Sequence, residues 1–194
     1  MIRTGVSNVT DVHVHMQPFE TFRPATLALM RKGRPDFDAI MAMSRDPAAF
    51  LRYLDSVGVE RAALINYPSP DIMGFGEETN DFVARYAKTA PDRLIAVGGV
   101  HPRTSRDMSG AIERLADAGI RALKLHPPHM LIRPEQYLDP GQVGEALAAL
   151  YATASRRRLP VIIHTGTSVF PGARSRYGDP IGIDDVAVDH PDLA

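Results

Sequence analysis

The sequence contains no cysteine. This excludes disulfides, thiolate nucleophiles and cysteine-ligated zinc, so a metal site must use His, Asp, Glu or a modified Lys. There is also no run of about 18 apolar residues, which argues against a membrane-spanning segment. Neither charge sign prevails, with 22 Lys+Arg against 23 Asp+Glu, so we expect neither nucleic acid nor a membrane as a partner. Residues 1–8 are polar and unlike a signal peptide, so we expect a cytoplasmic protein.

The composition is that of a globular chain, with 44% hydrophobic residues, and 194 residues suit one domain over residues 1–194. Helical patterns alternate with short apolar segments; one helix is predicted to start at Asp46-Pro47 and stop at Gly58. The apolar segments predict buried parallel strands at residues 9–15, 61–67, 94–101, 120–126 and 160–166. This alternation is typical of an α/β fold with a parallel sheet.

Two parallel architectures compete. A doubly wound nucleotide fold should show GxGxxG after its first strand, and this sequence does not. A (β/α)8 TIM barrel should carry its chemistry at the C-terminal ends of its strands. Five of the seven histidines lie there, which favours the barrel: His13, His15, His101, His126 and His164.

The barrel interpretation raises a problem of length. At roughly 38 residues a unit, eight units need about 300 residues, so only about five of the eight βα units are expected in this chain. Such a sheet has two open edges, and we expect either a fragment or a chain that needs a partner to close it. Residues 16–45, rich in Met and Phe, form a long insertion that suits a lid over an apolar pocket, although core packing would also explain it.

The first predicted strand carries the most specific signal, Asp11-Val12-His13-Val14-His15. Because a strand has a period of two, Asp11, His13 and His15 are expected on one face, with the valines toward the helical layer. Two imidazoles on one face can bind a divalent ion, and Asp11 could orient one of them. A polar strand end with two solvated histidines is the alternative.

The fourth and fifth predicted strands add further candidates. His164 lies where a barrel would want a third metal ligand, although alone it could be a hydrogen-bonded core histidine. Lys124 and His126 share a face of their strand. Four roles remain open for Lys124: a carboxylated lysine bridging two metals, a general acid, an anchor for a substrate carboxylate, or a member of a structural ion pair. His126 is a candidate proton shuttle or substrate contact.

Three more residues are candidates for binding substrate. His101 ends the third predicted strand, where it could contact substrate or tie down a loop. Arg174 and Arg176 belong to a long loop, residues 167–180, over the predicted mouth of the barrel. Either arginine could clamp a carboxylate, or both could be surface charges.

These motifs resemble the amidohydrolase superfamily, nearest to the amidohydrolase-related enzymes that include aminocarboxymuconate semialdehyde decarboxylase. The matching pieces are DVHVH at 11–15, PDRLIAVGGVHP at 91–102, LKLHPP at 123–128 and IIHTG at 162–166. The resemblance implies a (β/α)8 barrel in which His13, His15 and His164 bind metal. LKLHPP also resembles the KLYP motif of dihydroorotases, whose lysine is carboxylated. The family further expects a His on strand six and an Asp base on strand eight, which this sequence does not contain.

The resemblance implies a metal-dependent hydrolase for a small organic amide, ester or lactone, perhaps one bearing a carboxylate. The expected cofactor is a divalent ion, zinc by preference, that activates a water. Nonoxidative decarboxylation at the same site is the alternative. An inactive fragment or a metal-binding partner subunit is a third hypothesis, and a homo-oligomer is compatible with all three.

Overall fold

A computed structural model describes residues 8–194, so the prediction for the N-terminal segment lies almost wholly outside the described residues. Five parallel strands form one sheet in the order of the sequence. Register is regular in its centre, where Ala63 pairs with Ile95 and Ile65 with Val97. The strands are β1 (Val9–Val14), β2 (Val59–Ile65), β3 (Leu94–Gly98), β4 (Ala122–Leu125) and β5 (Val161–Ile163).

Helices connect the strands, as a repeated βα unit requires. They are α1 (Pro24–Arg31), α2 (Phe37–Arg45), α3 (Pro47–Val57), α4 (Glu78–Lys88), α5 (Met108–Asp117), α6 (Pro127–Met130), α7 (Gln142–Arg157) and α8 (Gly182–Asp189). Short 3-10 turns lie at Phe19–Thr21, Pro134–Leu138 and Ser175–Gly178. The predicted signals of α3 are confirmed: the Asp46 carboxylate accepts a hydrogen bond from the Ala48 N–H, and Gly58 ends the helix at φ +76°.

The strands end earlier than the sequence pattern predicts, and the difference concerns the site. β1, β4 and β5 stop one residue before His15, His126 and His164. Each imidazole therefore occupies the first position after its strand, where the backbone leaves the ladder. The third strand was predicted to end at His101, but β3 ends at Gly98. His101 therefore lies in the loop after the strand.

β1 departs from the strict alternation that the sequence predicts. Asp11 pairs with Ala62 and Val14 with Leu64, so three steps on β1 oppose two on β2. Such an irregularity is a β-bulge, and it re-aims the side chains within it. Val12, expected to face the helical layer, is 65% exposed. Val12 therefore packs against no helix in the described part of the chain, where β1 is an edge strand of the sheet.

The main core lies between the sheet and helices α3, α4, α5 and α7, with Leu64, Ile112 and Leu147 fully buried. A second apolar cluster joins the 16–45 segment to the loop after β2. Its buried members are Phe19, Phe22, Phe37, Ile72, Met73 and Phe75. The segment is thus a packed layer beside the C-terminal ends of the strands; that it moves as a lid stays a prediction.

Both edges of the sheet have one strand neighbour in the described chain. At the β5 edge, the Val161 N–H donates to the Ala194 carbonyl at 2.8 Å, so the last residues lie beside that strand. No helix among residues 8–194 is both long and apolar enough to cross a bilayer.

Candidate functional site

Histidines from three separate strand ends meet at one side of the sheet. The His126 ring stacks on His164 at 3.8 Å between centroids and on His129 at 3.6 Å. The His13 and His15 rings are 5.1 Å apart. All five imidazoles border one cavity. Parallel strands bring residues distant in sequence together at their carboxyl ends, which is why these residues can act as a group.

His13 lies in β1 and His15 directly follows it, and both side chains border the cavity. Desolvation, followed by neighbouring positive groups that include Lys124, lowers the pKa of both imidazoles, to about 4 for His15. Neutral imidazole is the form that binds metal. Asp11 also borders the cavity, but its carboxylate accepts a hydrogen bond from the His13 backbone N–H at 3.0 Å. Asp11 therefore supports the bulge that presents His13.

His164 contributes another neutral nitrogen donor. Burial lowers its pKa, and its Nε2 lies 3.3 Å from the Thr167 carbonyl. That contact orients the ring, because a carbonyl can only accept a hydrogen bond. Within residues 8–194 no three His, Asp or Glu side chains are grouped as a ready-made metal site. The donor chemistry of His13, His15 and His164 nevertheless fits a divalent ion, since each offers an imidazole kept neutral.

Lys124 is the most unusual residue of the site. Its side chain is 1% exposed, and Nζ has no hydrogen-bond partner among the described residues. The structural ion pair considered from sequence is therefore not formed there. Burial lowers the pKa of Lys124 to about 8, which leaves it mostly charged at neutral pH. Its charge in turn lowers the pKa of His13, His15 and His164, so the ammonium lies within electrostatic reach of all three.

His126 lies between two other imidazoles, and its Nδ1 is buried with no partner in the described chain. Burial first, and the adjacent histidines next, hold its pKa far below the ordinary value, so the ring stays neutral. A proton shuttle must change protonation near the working pH. In this environment His126 is better suited to donate or accept a hydrogen bond than to carry a proton.

Three site residues were not identified from the sequence: Tyr67, His129 and Ser168. The Tyr67 hydroxyl lies 3.1 Å from His129 Nδ1, and His129 Nε2 lies 2.8 Å from the Ser168 Oγ. The available signal for His129 was its spacing, because His126-Pro-Pro-His129 places a second imidazole one turn later on the short helix α6. Tyr67 stood at the end of a predicted strand, where the other candidates also stood.

The cavity has a volume of about 1080 Å³. The imidazoles, Tyr67 and Ser168 form one part of its wall, and residues of α1, α2 and α3 form much of the rest. The 16–45 segment contributes three charged residues to the cavity wall, all between α1 and α2: Lys32, Arg34 and Asp36. A cavity of this size, apolar with a few convergent polar groups, is typical of a small-molecule site.

Three predicted substrate-binding residues lie apart from this wall. His101 is buried, burial lowers its pKa, and its Nδ1 accepts from the Arg103 N–H at 3.2 Å. Arg174 donates to the Ala173 carbonyl, and Arg176 donates to the Tyr177 hydroxyl. None of the three borders the cavity formed by residues 8–194. A substrate role for them stays a prediction, with no support from this geometry.

The loop that carries Ser168 is closed at its base by a tight backbone contact. The Gly166 N–H donates to the Gly178 carbonyl at 2.7 Å, and a Cβ on Gly178 would lie 1.9 Å from the Gly166 carbonyl oxygen. Because the clash is with backbone, Gly178→Ala should open the loop and destabilise the protein by about 1–3 kcal/mol. Thermal unfolding and hydrogen exchange over residues 167–177 measure this.

The exposed Ser175 lies in the same loop and supplies the control, since Ser175→Ala should change stability by less than about 0.5 kcal/mol. Equal protection of residues 167–177 in Gly178→Ala and the unmodified protein would contradict the proposed role of this contact.

The chain is similar to known proteins in both sequence and fold. A family model described as amidohydrolase matches residues 10–194. A comparison with curated proteins found no match. Among solved structures, an uncharacterized TIM-barrel protein from Bordetella bronchiseptica is 21% identical, with a TM-score of 0.73 over 96% of this chain and 65% of its own. The 5-carboxyvanillate decarboxylase of Sphingomonas paucimobilis is 16% identical, with a TM-score of 0.61 over 97% and 66%.

Two further structures bear on cofactor and chemistry. A 5-carboxyvanillate decarboxylase from Novosphingobium aromaticivorans, solved with manganese and 4-hydroxy-3-methoxy-5-nitrobenzoic acid, is 16% identical (TM-score 0.53; 96% of this chain, 55% of its own). An adenine deaminase from Arthrobacter aurescens is 16% identical (TM-score 0.51; 97% and 63%). This chain spans less than two thirds of each of these chains. The predicted fold, a (β/α)8 barrel type with five of its units here, is confirmed.

Proposed function

The chain belongs to the amidohydrolase family, and on that premise we propose that it forms the metal-binding part of an enzyme for small carboxylic acids. The proposed reaction is nonoxidative decarboxylation. The sequence alone placed hydrolysis first; the arrangement around Lys124 and the matched decarboxylases favour the alternative.

The observation that carries the proposal is the buried Lys124 ammonium, which has no hydrogen-bond partner among residues 8–194. An isolated buried charge is costly, so a protein that keeps one generally supplies it with an opposite charge. Here the surrounding groups are neutral or basic, namely His13, His15 and His164. A carboxylate on the ligand would provide the missing partner. Lys124 does not itself border the cavity, so a ligand carboxylate must reach past the His13, His15 and His164 side chains to meet its ammonium. In the proposed function Lys124 is then the anchor for a substrate carboxylate, one of the roles considered from sequence.

His13, His15 and His164 are the residues that would hold the metal. A divalent ion bound there, zinc or manganese, supplies a Lewis acid that polarises a substrate oxygen. The protein residues have separate tasks. Asp11 fixes the backbone that presents His13, the Thr167 carbonyl orients the His164 ring, and His126 packs against His164. The apolar walls contributed by α1 to α3 enclose the body of the substrate.

Metal-assisted hydrolysis of a small amide, ester or lactone is the second candidate. The family description and the structural match to an adenine deaminase support it. The same imidazoles would hold the ion, and Lys124 would then bind a carboxylate remote from the bond that is cleaved.

The test uses the natural protein loaded with Zn²⁺ or Mn²⁺. Aromatic and unsaturated carboxylic acids are screened beside amides, esters and lactones, with and without a chelator. Chelator-sensitive release of carbon dioxide supports the proposal. Release of amine or alcohol favours hydrolysis. If the metal-loaded protein turns over none of these substrates, both the decarboxylase and the hydrolase proposals are overturned, and a metal-binding subunit is favoured.

A further inference from the structure

Tyr67, His129 and Ser168 form a chain of hydrogen bonds along the cavity wall. Tyr67 lies just beyond β2 and is 1% exposed. Its hydroxyl contacts His129 Nδ1 at 3.1 Å, and the opposite ring nitrogen, Nε2, contacts the Ser168 Oγ at 2.8 Å. The mechanism proposed above uses none of these three residues.

The direction of these bonds follows from the buried phenol. The Tyr67 hydroxyl has no hydrogen-bond partner except His129 in the part of the chain that the structure describes. If Nδ1 carried the proton, it would donate to the phenol oxygen and leave the phenolic hydrogen without an acceptor. If Nε2 carries the proton, Tyr67 donates to Nδ1 and every hydrogen is bonded. A buried donor left unpaired is costly, so the second tautomer is favoured.

The protonation states agree with this direction. Burial raises the pKa of the Tyr67 phenol far above its ordinary value, so its hydrogen stays in place. Burial lowers the pKa of His129 to about 3, so the ring is neutral and has one N–H to donate. That hydrogen lies on Nε2 and points to Ser168. His129 therefore cannot take a proton from Ser168, which excludes Ser168 as a nucleophile activated by this histidine.

The Ser168 hydroxyl has no acceptor for its own hydrogen among the residues that the structure describes. Its oxygen accepts from His129 and from the Phe170 N–H at 3.4 Å, and the residue borders the cavity. A hydroxyl that already accepts two hydrogen bonds has its own O–H left to donate.

We propose that the Ser168 hydroxyl donates a hydrogen bond to a carboxylate oxygen of the substrate, with Tyr67 and His129 as positioning residues that fix its direction. The carboxylate class rests on the proposed function, whereas the direction of the bonds does not. Lys124 would supply charge to the same ligand and Ser168 a directed donor.

The first test measures the His129 tautomer by nitrogen-15 NMR of labelled protein. We expect protonated Nε2 and unprotonated Nδ1 in the unmodified chain. In Tyr67→Phe the two tautomers should mix, because Nδ1 loses its donor. Tyr177→Phe is the control. It removes a hydroxyl that contacts Arg176 in the loop carrying Ser168, and it should leave the His129 tautomer unchanged. Protonated Nδ1 in the unmodified protein would overturn the proposal.

The second test measures binding of benzoate to metal-loaded protein by calorimetry. We expect Ser168→Ala to weaken binding about 10-fold, since a hydrogen bond to a charged group is lost. Tyr67→Phe should weaken binding less than Ser168→Ala does, because it only mixes the His129 tautomers and leaves the serine hydroxyl in place. Ser168→Thr should restore binding, and metal affinity should stay the same in all variants. Unchanged benzoate affinity in Ser168→Ala overturns the donor role.

The two tests separate this proposal from the proposed function. If benzoate and related carboxylates fail to bind the unmodified protein, the carboxylate class is wrong for both. The NMR result then still decides whether Tyr67 and His129 direct a donor at the cavity. Chelator-sensitive decarboxylation together with protonated Nδ1 would leave the function standing and overturn only the relay.

Discussion

Replacing His164 by alanine should weaken binding of a divalent metal by at least about 100-fold, because one of three nitrogen ligands is lost. His164 follows β5 directly, and its pKa is lowered by burial, so the ring is in the form that binds metal. The measurement is metal content per chain after dialysis, together with the dissociation constant for Zn²⁺.

A structural role for the ring must be separated from a ligand role. His164 stacks on His126 at 3.8 Å, so alanine also removes a packing contact. His164→Phe keeps a ring there but has no nitrogen, and it should lose metal as fully as alanine does. His190 packs against Tyr137 and Tyr151 far along the chain, and His190→Phe should bind metal normally. Metal retained by both His164 variants would contradict the proposed ligand set.

The sequence predicted the fold because its signals were local. Each strand was predicted from a short, mostly apolar run, and α3 carried its own cap at Asp46 and its own stop at Gly58. The three histidines at strand ends were visible for a related reason. A polar residue after an apolar run marks both the end of a parallel strand and the edge of the sheet where a site forms.

What the sequence could not show depends on pairing between distant segments. The bulge in β1 appears only when Asp11 and Val14 are set against β2, and it alters the expected facing of the residues between them. The contact from Tyr67 to His129 joins residues 62 positions apart, so no spacing rule could reveal it. Arg174 and Arg176 were chosen because their loop lies over the mouth, but a loop's position does not fix the direction of its side chains.

Lys124 provides the other large effect, and the expected direction is a gain in stability. In the metal-free protein without ligand, Lys124→Met should be about 3 kcal/mol more stable at pH 7, because an unpaired buried ammonium is removed. Methionine has a similar shape and keeps the core filled. The exposed Lys88 gives the matched control, since Lys88→Met should change stability by less than about 0.5 kcal/mol. Denaturant unfolding measures both.

The difference should disappear at high pH, which identifies its cause. Burial lowers the pKa of Lys124 from 10.5 to about 8 in the folded protein. Between those values the unfolded chain binds a proton that the folded chain has released, so the stability of the unmodified protein rises with pH. The gap to Lys124→Met is therefore full below pH 8 and closes towards pH 10.5. A gap that is constant with pH would mean that methionine stabilises by packing alone.

The Lys124→Met variant should stay folded but lose carboxylate binding. Without the ammonium, benzoate affinity should fall at least about 10-fold in metal-loaded protein, since a charged hydrogen bond is lost. Zn²⁺ affinity should not fall, because Lys124 is not among the proposed ligands. If Lys124 anchors the carboxylate, the variant should be more stable and should bind metal but not carboxylate. The free-energy cost of burying the unpaired ammonium is offset only when the ligand binds. Full benzoate affinity in a stabilised Lys124→Met would instead assign the anchor to Arg34 or Lys32, which border the cavity.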